Sequence, residues 1–141
     1  MLIDGLTIII PSAGLGSRFS KEGFVSPKPF IEINKKPLLH HVFDNFVQIS
    51  NKVNFIVITR GKGSTEYLKE ISSSYNVKVV GIDELTKGTA ISILSAAHLI
   101  ANKHPVIVAN CDQLIINRNS IKSLYDNSSK SISSLITFEC N

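Results

Sequence analysis

Short apolar, β-branched runs alternate along the chain with segments whose apolar residues recur at helical spacing. Leu6-Thr7-Ile8-Ile9-Ile10 is a continuous apolar run, the mark of a strand covered on both faces. Phe30–Ile33 predicts a short strand, and Asn34-Lys35-Lys36 turns into Pro37, which suits a first helical position. Leu38, Leu39, Val42, Phe43, Phe46 and Val47 then predict an amphipathic helix over 38–49. Val53–Ile58 is the next strand. Gly61 and Gly63 break the chain, and Ser64 or Thr65 offers a cap to a helix with Leu68 and Ile71 inward. Val77–Ile82 is another strand. Gly88 precedes a helix over 89–101 with Ile91, Leu94, Ala97 and Leu99 facing the core. Pro105–Ala109 reads as a buried strand, Ile121 and Leu124 mark a short helix, and Ser134–Phe138 is a last strand. No internal repeat, low-complexity linker or domain boundary interrupts residues 1–141, which read as one domain.

Strands and helices in strict alternation predict right-handed crossovers, a mostly parallel sheet and a three-layer α/β/α architecture. Ligands of such sheets bind beyond the carboxyl ends of the strands. That rule selects the loop after Ile10, the loop after Ile82 and the residues after Ala109.

Composition narrows the classes. The 141 residues are 43% hydrophobic and 18% charged, a globular mixture that argues against general disorder. No apolar run reaches the ~20 residues of a membrane-spanning helix. The opening Met1-Leu2-Ile3-Asp4-Gly5 lacks the basic and small-residue features of a secretory signal. Two cysteines, Cys111 and Cys140, cannot build a disulfide scaffold, and the expectation is reduced thiols in a cytoplasm. Fifteen Lys and Arg against 11 Asp and Glu give a net charge of +4, but the cations are scattered. That suits a small polyanion and gives no footprint for nucleic acid.

The first loop carries the chemistry: Pro11-Ser12-Ala13-Gly14-Leu15-Gly16-Ser17-Arg18-Phe19. Its two glycines allow positive φ and close approach of the backbone, whose N–H groups can surround phosphate oxygens. Arg18 adds a permanent charge with fork geometry. A P-loop would need Gly-Lys-Ser/Thr at its end, which is absent. A dinucleotide fingerprint would need a small residue where Phe19 sits and an uninterrupted helix, which Gly23, Pro27 and Pro29 forbid. In Pro27-Lys28-Pro29 two prolines stiffen the backbone around one lysine, and a fixed cation is useful where charge develops on phosphate.

Gly14-x-Gly16-Ser17-Arg18-Phe19 followed by Pro27-Lys28-Pro29, directly after an N-terminal apolar strand, resembles the sugar-phosphate nucleotidyltransferases (nucleotide-sugar pyrophosphorylases). The resemblance implies a Rossmann-like (GT-A-like) fold and transfer of a nucleotidyl group from an NTP to a phosphorylated small molecule, with release of pyrophosphate. It implies nucleotide-binding roles for Pro11, Ala13, Gly14, Leu15, Gly16 and Ser17, and catalytic roles for Arg18 and Lys28. Arg18 would hold the β- and γ-phosphates, and Lys28 would neutralise charge near the α-phosphate. The segment Asp83 to Ala90 resembles the family's Gly-Thr-Ala stretch, which places Gly88, Thr89 and Ala90 against base and ribose. Asp83 stands where many members carry a glutamine that reads uracil or thymine. A carboxylate only accepts hydrogen bonds, so it suits an exocyclic amine and tilts the expectation toward CTP. Asp112, beyond the Val106–Ala109 strand, is implied as the ligand of a Mg²⁺ cofactor.

Complete members of this family are longer, so the resemblance covers the nucleotide-binding, N-terminal part of a larger domain, incomplete at its C-terminus. A noncatalytic nucleotide-binding module of the same fold is the alternative. The expected partners are an NTP and a phosphorylated acceptor, with no nucleic acid and no membrane. A homo-oligomer is compatible with the sequence. Cys111 reads as a buried thiol, and His40, His41, His98 and His104 have no metal-ligand spacing. Phe43 and Phe46 read as core.

Overall fold

The computed structural model describes residues 4–70, 74–100 and 104–128. Its main sheet has four parallel strands, β1 (Leu6–Pro11), β4 (Val53–Arg60), β5 (Val77–Ile82) and β6 (Val106–Val108), in the order β5-β4-β1-β6. From β1 the chain moves outward through α2 (Leu38–Val47) to β4 and through α3 (Lys62–Glu70) to β5. It then reverses through α4 (Thr89–Ser95) to reach β6 on the other side of β1. Crossovers of one hand must change face when they change direction. Accordingly α2 and α3, with α5 (Arg118–Ser128), pack on one face, where Leu39, Phe43, Leu68 and Ile121 join Ile8, Ile10, Phe55 and Val57. The opposite face buries Ile9, Ile56 and Ile58 against Ala96 and Ile93. This is the expected α/β/α sandwich. The reversal of strand order at β1 opens a crevice at the carboxyl ends of β1 and β6.

Several local expectations are corrected. Residues 30–33 do not form one strand: Lys28–Phe30 is a 3-10 turn, and β2 (Glu32–Ile33) pairs antiparallel with β3 (Lys36–Pro37). Asn34 and Lys35 both take positive φ, 54° and 62°, as a tight hairpin of this hand requires. Pro37 therefore ends β3 and caps α2, which stops at Val47 instead of residue 49. The third helix starts at Lys62, ahead of Ser64 and Thr65; the Thr65 hydroxyl donates to the Gly61 carbonyl at 3.2 Å. Strand β4 runs on to Arg60 because its ladder with β5 continues to the Arg60–Ile82 pair.

The helix predicted over 89–101 ends at Ser95 and is followed by a 3-10 turn, Ala97–Leu99. Its inward stripe is Ser92, Ile93 and Ala96, which turns Ile91 and Leu94 outward, 51% and 65% exposed. Strand β6 is not buried. Val108 lies beside Ile9 in register, on the face whose apolar cluster does not reach it, and Val106 and Val108 are 41% and 51% exposed. Ile71 and Ser134–Phe138 lie outside the described residues. Phe43 and Phe46 are core, as expected. No helix among the described residues is long and apolar enough to cross a membrane.

Beside this core His40 packs among Phe43, Tyr67 and Tyr75, with ring centroids 6.2, 6.3 and 5.6 Å away and its Nε2 buried without a hydrogen-bond partner among the described residues. Burial, then the Lys36 and His41 charges, push its pKa below 6.5 against the opposing pull of Asp44. The Asp44 carboxylate pairs with Lys36 and accepts from the Tyr75 hydroxyl at 2.7 Å. Burial opposes its ionisation, but those hydrogen bonds prevail and hold its pKa below the usual value. Burial, then that same bond, pushes the Tyr75 pKa up to about 12.

A histidine whose folded pKa lies below its unfolded one binds fewer protons when folded. Its contribution to stability is therefore present above pH 6.5 and is lost as pH falls below that value toward the lowered one. Urea midpoints of the native chain are expected to fall between about pH 7 and about pH 5.5, and His40→Phe to flatten that slope. An identical slope in the variant removes His40 as the cause.

Candidate active site at the ends of β1 and β6

The glycine loop leaves the sheet from a fixed base. The Ser12 N–H and hydroxyl both donate to the Ile58 carbonyl, at 2.7 and 3.0 Å, and Ala13 is buried. Gly16 then takes φ +60°, ψ 23° as the left-handed cap of the short α1 (Ser17–Lys21). A larger residue would be strained there, and its Cβ would come within 3.8 Å of the Lys28 Cβ. Gly14 does not share this positive φ. It contributes bare backbone, since a Cβ there would meet nothing within 4 Å.

The lysine between two prolines is anchored to the core. Pro27 is extended, at φ −55° and ψ 144°, and its carbonyl accepts from the Phe30 N–H at 2.8 Å. Pro29 is buried, and the Phe30 ring packs 4.6 Å from that of Tyr67. From this platform Lys28 ion-pairs with the Asp112 carboxylate. Its Nζ also lies 5.2 Å from the Phe19 ring centroid, within cation–π range. Phe19 is braced edge-on by Phe24 at 5.8 Å.

Asp112 arrives from the other side of the crevice. The Ala109 N–H donates to the Ile9 carbonyl at 2.9 Å and carries the β6 ladder to its end. Asn45 on α2 clamps the loop that follows: its amide donates to the Ile115 carbonyl at 2.9 Å and accepts from the Ile115 N–H at 3.1 Å. Cys111 is buried, and burial, then the neighbouring Asp112 charge, pushes its thiol pKa up while Lys28 opposes. That is an inert thiol.

These elements enclose a cavity of about 470 Å³, within the range of small-molecule sites. Gly14, Gly16, Lys28 and Asp112 line it together with Thr59, Arg60 and Ser64. Phe24 and Val25 stand exposed at its mouth. Pro11 and Leu15 also line it, whereas Ala13 and Ser17 do not. Arg18 is exposed on α1 and does not line this cavity. Asp83, Gly88, Thr89 and Ala90 lie outside its lining too. Gly88 takes φ +127°, a conformation that favours glycine, and the Thr86 hydroxyl ties this loop to the Gly88 carbonyl at 3.2 Å and to the Ser92 hydroxyl at 2.5 Å.

Arg60 and Ser64 are cavity residues that sequence reasoning missed. The carboxyl-end rule could have found Arg60, because it stands two residues beyond the apolar run that ends at Ile58. Among the described residues no cluster of three His, Cys, Asp or Glu side chains is placed to hold a metal.

The family described as MobA-like NTP transferase domain matches residues 8–139. The glucose-1-phosphate cytidylyltransferase of Salmonella typhimurium is 36% identical over 67 residues, 48% of this chain and 25% of that protein. The 2-C-methyl-D-erythritol 4-phosphate cytidylyltransferase of Lachnospira eligens is 27% identical over 121 residues, 85% of this chain and 52% of that protein. Among solved structures, a nucleoside-diphosphate-sugar pyrophosphorylase from Vibrio cholerae shares the fold with a TM-score of 0.65 at 24% identity, covering 74% of this chain and 47% of that one. The chain thus spans between a quarter and about half of the length of these relatives.

Proposed function

The chain belongs to the MobA-like NTP transferase family, and from that membership we propose that it carries the nucleotide site of a nucleotidyltransferase acting on a phosphorylated small molecule. The observation that supports this most is the meeting of Lys28 and Asp112 beside the Gly14–Gly16 backbone in one cavity. An ionised phosphate oxygen of the acceptor attacks the α-phosphorus of the NTP. The α–β bridging bond breaks, and pyrophosphate departs with the electron pair. No general base is needed, because the nucleophile is already an anion; accordingly the site holds no activated Cys or His. The backbone N–H groups of the glycine loop receive phosphate oxygens. Lys28 turns from Asp112 to the α-phosphate as its charge redistributes. The exposed Arg18 meets the phosphates outside the enclosed volume.

Asp112 fits a Mg²⁺ site, because this cation takes one or two protein carboxylates and completes its shell with phosphate oxygens and water. Bound there, the ion would screen the triphosphate from the anionic acceptor.

CTP is the favoured donor. The Asp83 carboxylate can accept from the exocyclic amine of cytosine, and two of the matched relatives are named cytidylyltransferases. In a panel of the four NTPs with Mg²⁺, CTP is expected to raise Tm most, as a ligand bound only to the native state does. UTP stabilising more than CTP would remove the base assignment. Absence of stabilisation by every NTP would remove the nucleotide site itself.

A further inference from the structure

The triphosphate machinery accounts for one end of the cavity and leaves the other end without a role. Lys28 and Asp112 stand at the β1–β6 crevice, whereas Arg60 stands at the end of β4, on the far side of β1. Two strand spacings separate the β4 and β6 ends, about 10 Å. That is the scale on which a nucleotide's base stands off from its phosphates. A nucleotide with its phosphates at Lys28 and laid across β1 therefore brings its base to Arg60.

Arg60 brings a guanidinium to this end of the cavity. It lines the cavity, and its Nε is buried with no hydrogen-bond partner among the described residues. A buried, unsatisfied donor is costly, and a guanidinium can only donate. A ligand group that pairs with it must therefore accept. In register Arg60 lies beside Ile82, so the next residue on the neighbouring strand is Asp83. Asp83, an acceptor-only carboxylate, thus follows the residue beside Arg60, outside the cavity lining.

Resting on the nucleotidyl-transfer reading, we infer that Arg60 is the base-reading residue of this site and selects cytosine over uracil by donating to its adjacent O2 and N3 acceptors. Cytosine presents acceptor, acceptor and donor in sequence along one edge. Uracil replaces the middle acceptor with an N–H donor, which faces the guanidinium with like polarity.

The test is titration calorimetry on the full chain with Mg²⁺, using CTP, UTP and inorganic tripolyphosphate as a probe without a base. Wild type is expected to bind CTP about tenfold or more tightly than UTP, the scale of one good bidentate contact. Arg60→Met should lose that preference and leave tripolyphosphate affinity within about twofold, which also reports an intact fold. Arg60→Lys, which keeps the charge and loses the fork, should lose the preference too, and it decides the matter should the Met variant fail to fold. The inference is overturned by wild type binding CTP no better than UTP, by variants that keep the CTP preference, or by variants that lose tripolyphosphate as strongly as CTP. The last result would make Arg60 a phosphate clamp. Wild type binding neither nucleotide nor tripolyphosphate overturns the underlying site as well, and so separates that failure from this one.

Discussion

Lys28→Ala is expected to lower nucleotidyl transfer, followed as pyrophosphate release at saturating nucleotide, by about 100-fold or more. The size follows from how the lysine is held. Pro27 and Pro29 fix its backbone, Pro29 and Phe30 seat it on the core, and the Phe19 ring lies within reach of its ammonium. Such a cation needs little reorganisation when charge shifts at the α-phosphate, and that preorganisation makes electrostatic stabilisation large. Stability should hardly change. The Lys28–Asp112 pair is partly exposed, and pairs of that kind contribute at most about 1 kcal/mol. Near-normal turnover in a folded Lys28→Ala chain would remove the lysine from the chemistry. Lys28→Arg keeps the charge but replaces a compact ammonium with a planar fork, so partial activity is expected there.

The sheet and most of the crevice were legible in the sequence for one physical reason: strands covered on both faces need continuous apolar runs. Leu6–Ile10 and Val53–Ile58 stand out on that pattern, the edge strand Val77–Ile82 is interrupted by Lys78 and Gly81 and only partly buried, and parallel pairing follows from the helices between them. Strand-end logic then led to the glycine loop and Asp112. The Pro-Lys-Pro turn was legible because proline fixes φ regardless of context.

What misled was burial inferred from apolarity alone. Ile91 and Leu94 are apolar and exposed because α4 turns Ser92 and Ile93 inward, and Val106 and Val108 are apolar and exposed on β6, outside the cluster that buries Ile9. Hairpin β2–β3 was missed because Lys35 at positive φ carries no local signal. The clamp of Asn45 on the Asp112 loop joins residues 70 positions apart, and periodicity says nothing about such contacts. Arg60 reads in sequence as the polar end of a strand. Its buried, unpartnered Nε exists only once β4 has neighbours on both sides.

The pairing of Lys28 with Asp112 also makes a crossed prediction. In the free protein Asp112 satisfies the lysine, so an arriving polyanion must displace a carboxylate before it gains the ammonium. Asp112→Asn keeps the size and shape of the side chain while removing its charge. Without Mg²⁺, tripolyphosphate is then expected to bind the variant more tightly than wild type, by several-fold, because the lysine is already free. With Mg²⁺ present the order should reverse. Asn is a poor ligand for a hard cation, so the variant should lose the gain in nucleotide affinity that Mg²⁺ gives wild type, and turnover should drop about 100-fold or more. The two signs separate the roles: a carboxylate that merely parks Lys28 would give tighter binding under both conditions, and one that only holds metal would give no change without it. Tighter metal-free binding together with lost Mg²⁺ dependence is the signature of one carboxylate that holds the lysine in the free protein and releases it when metal and nucleotide arrive.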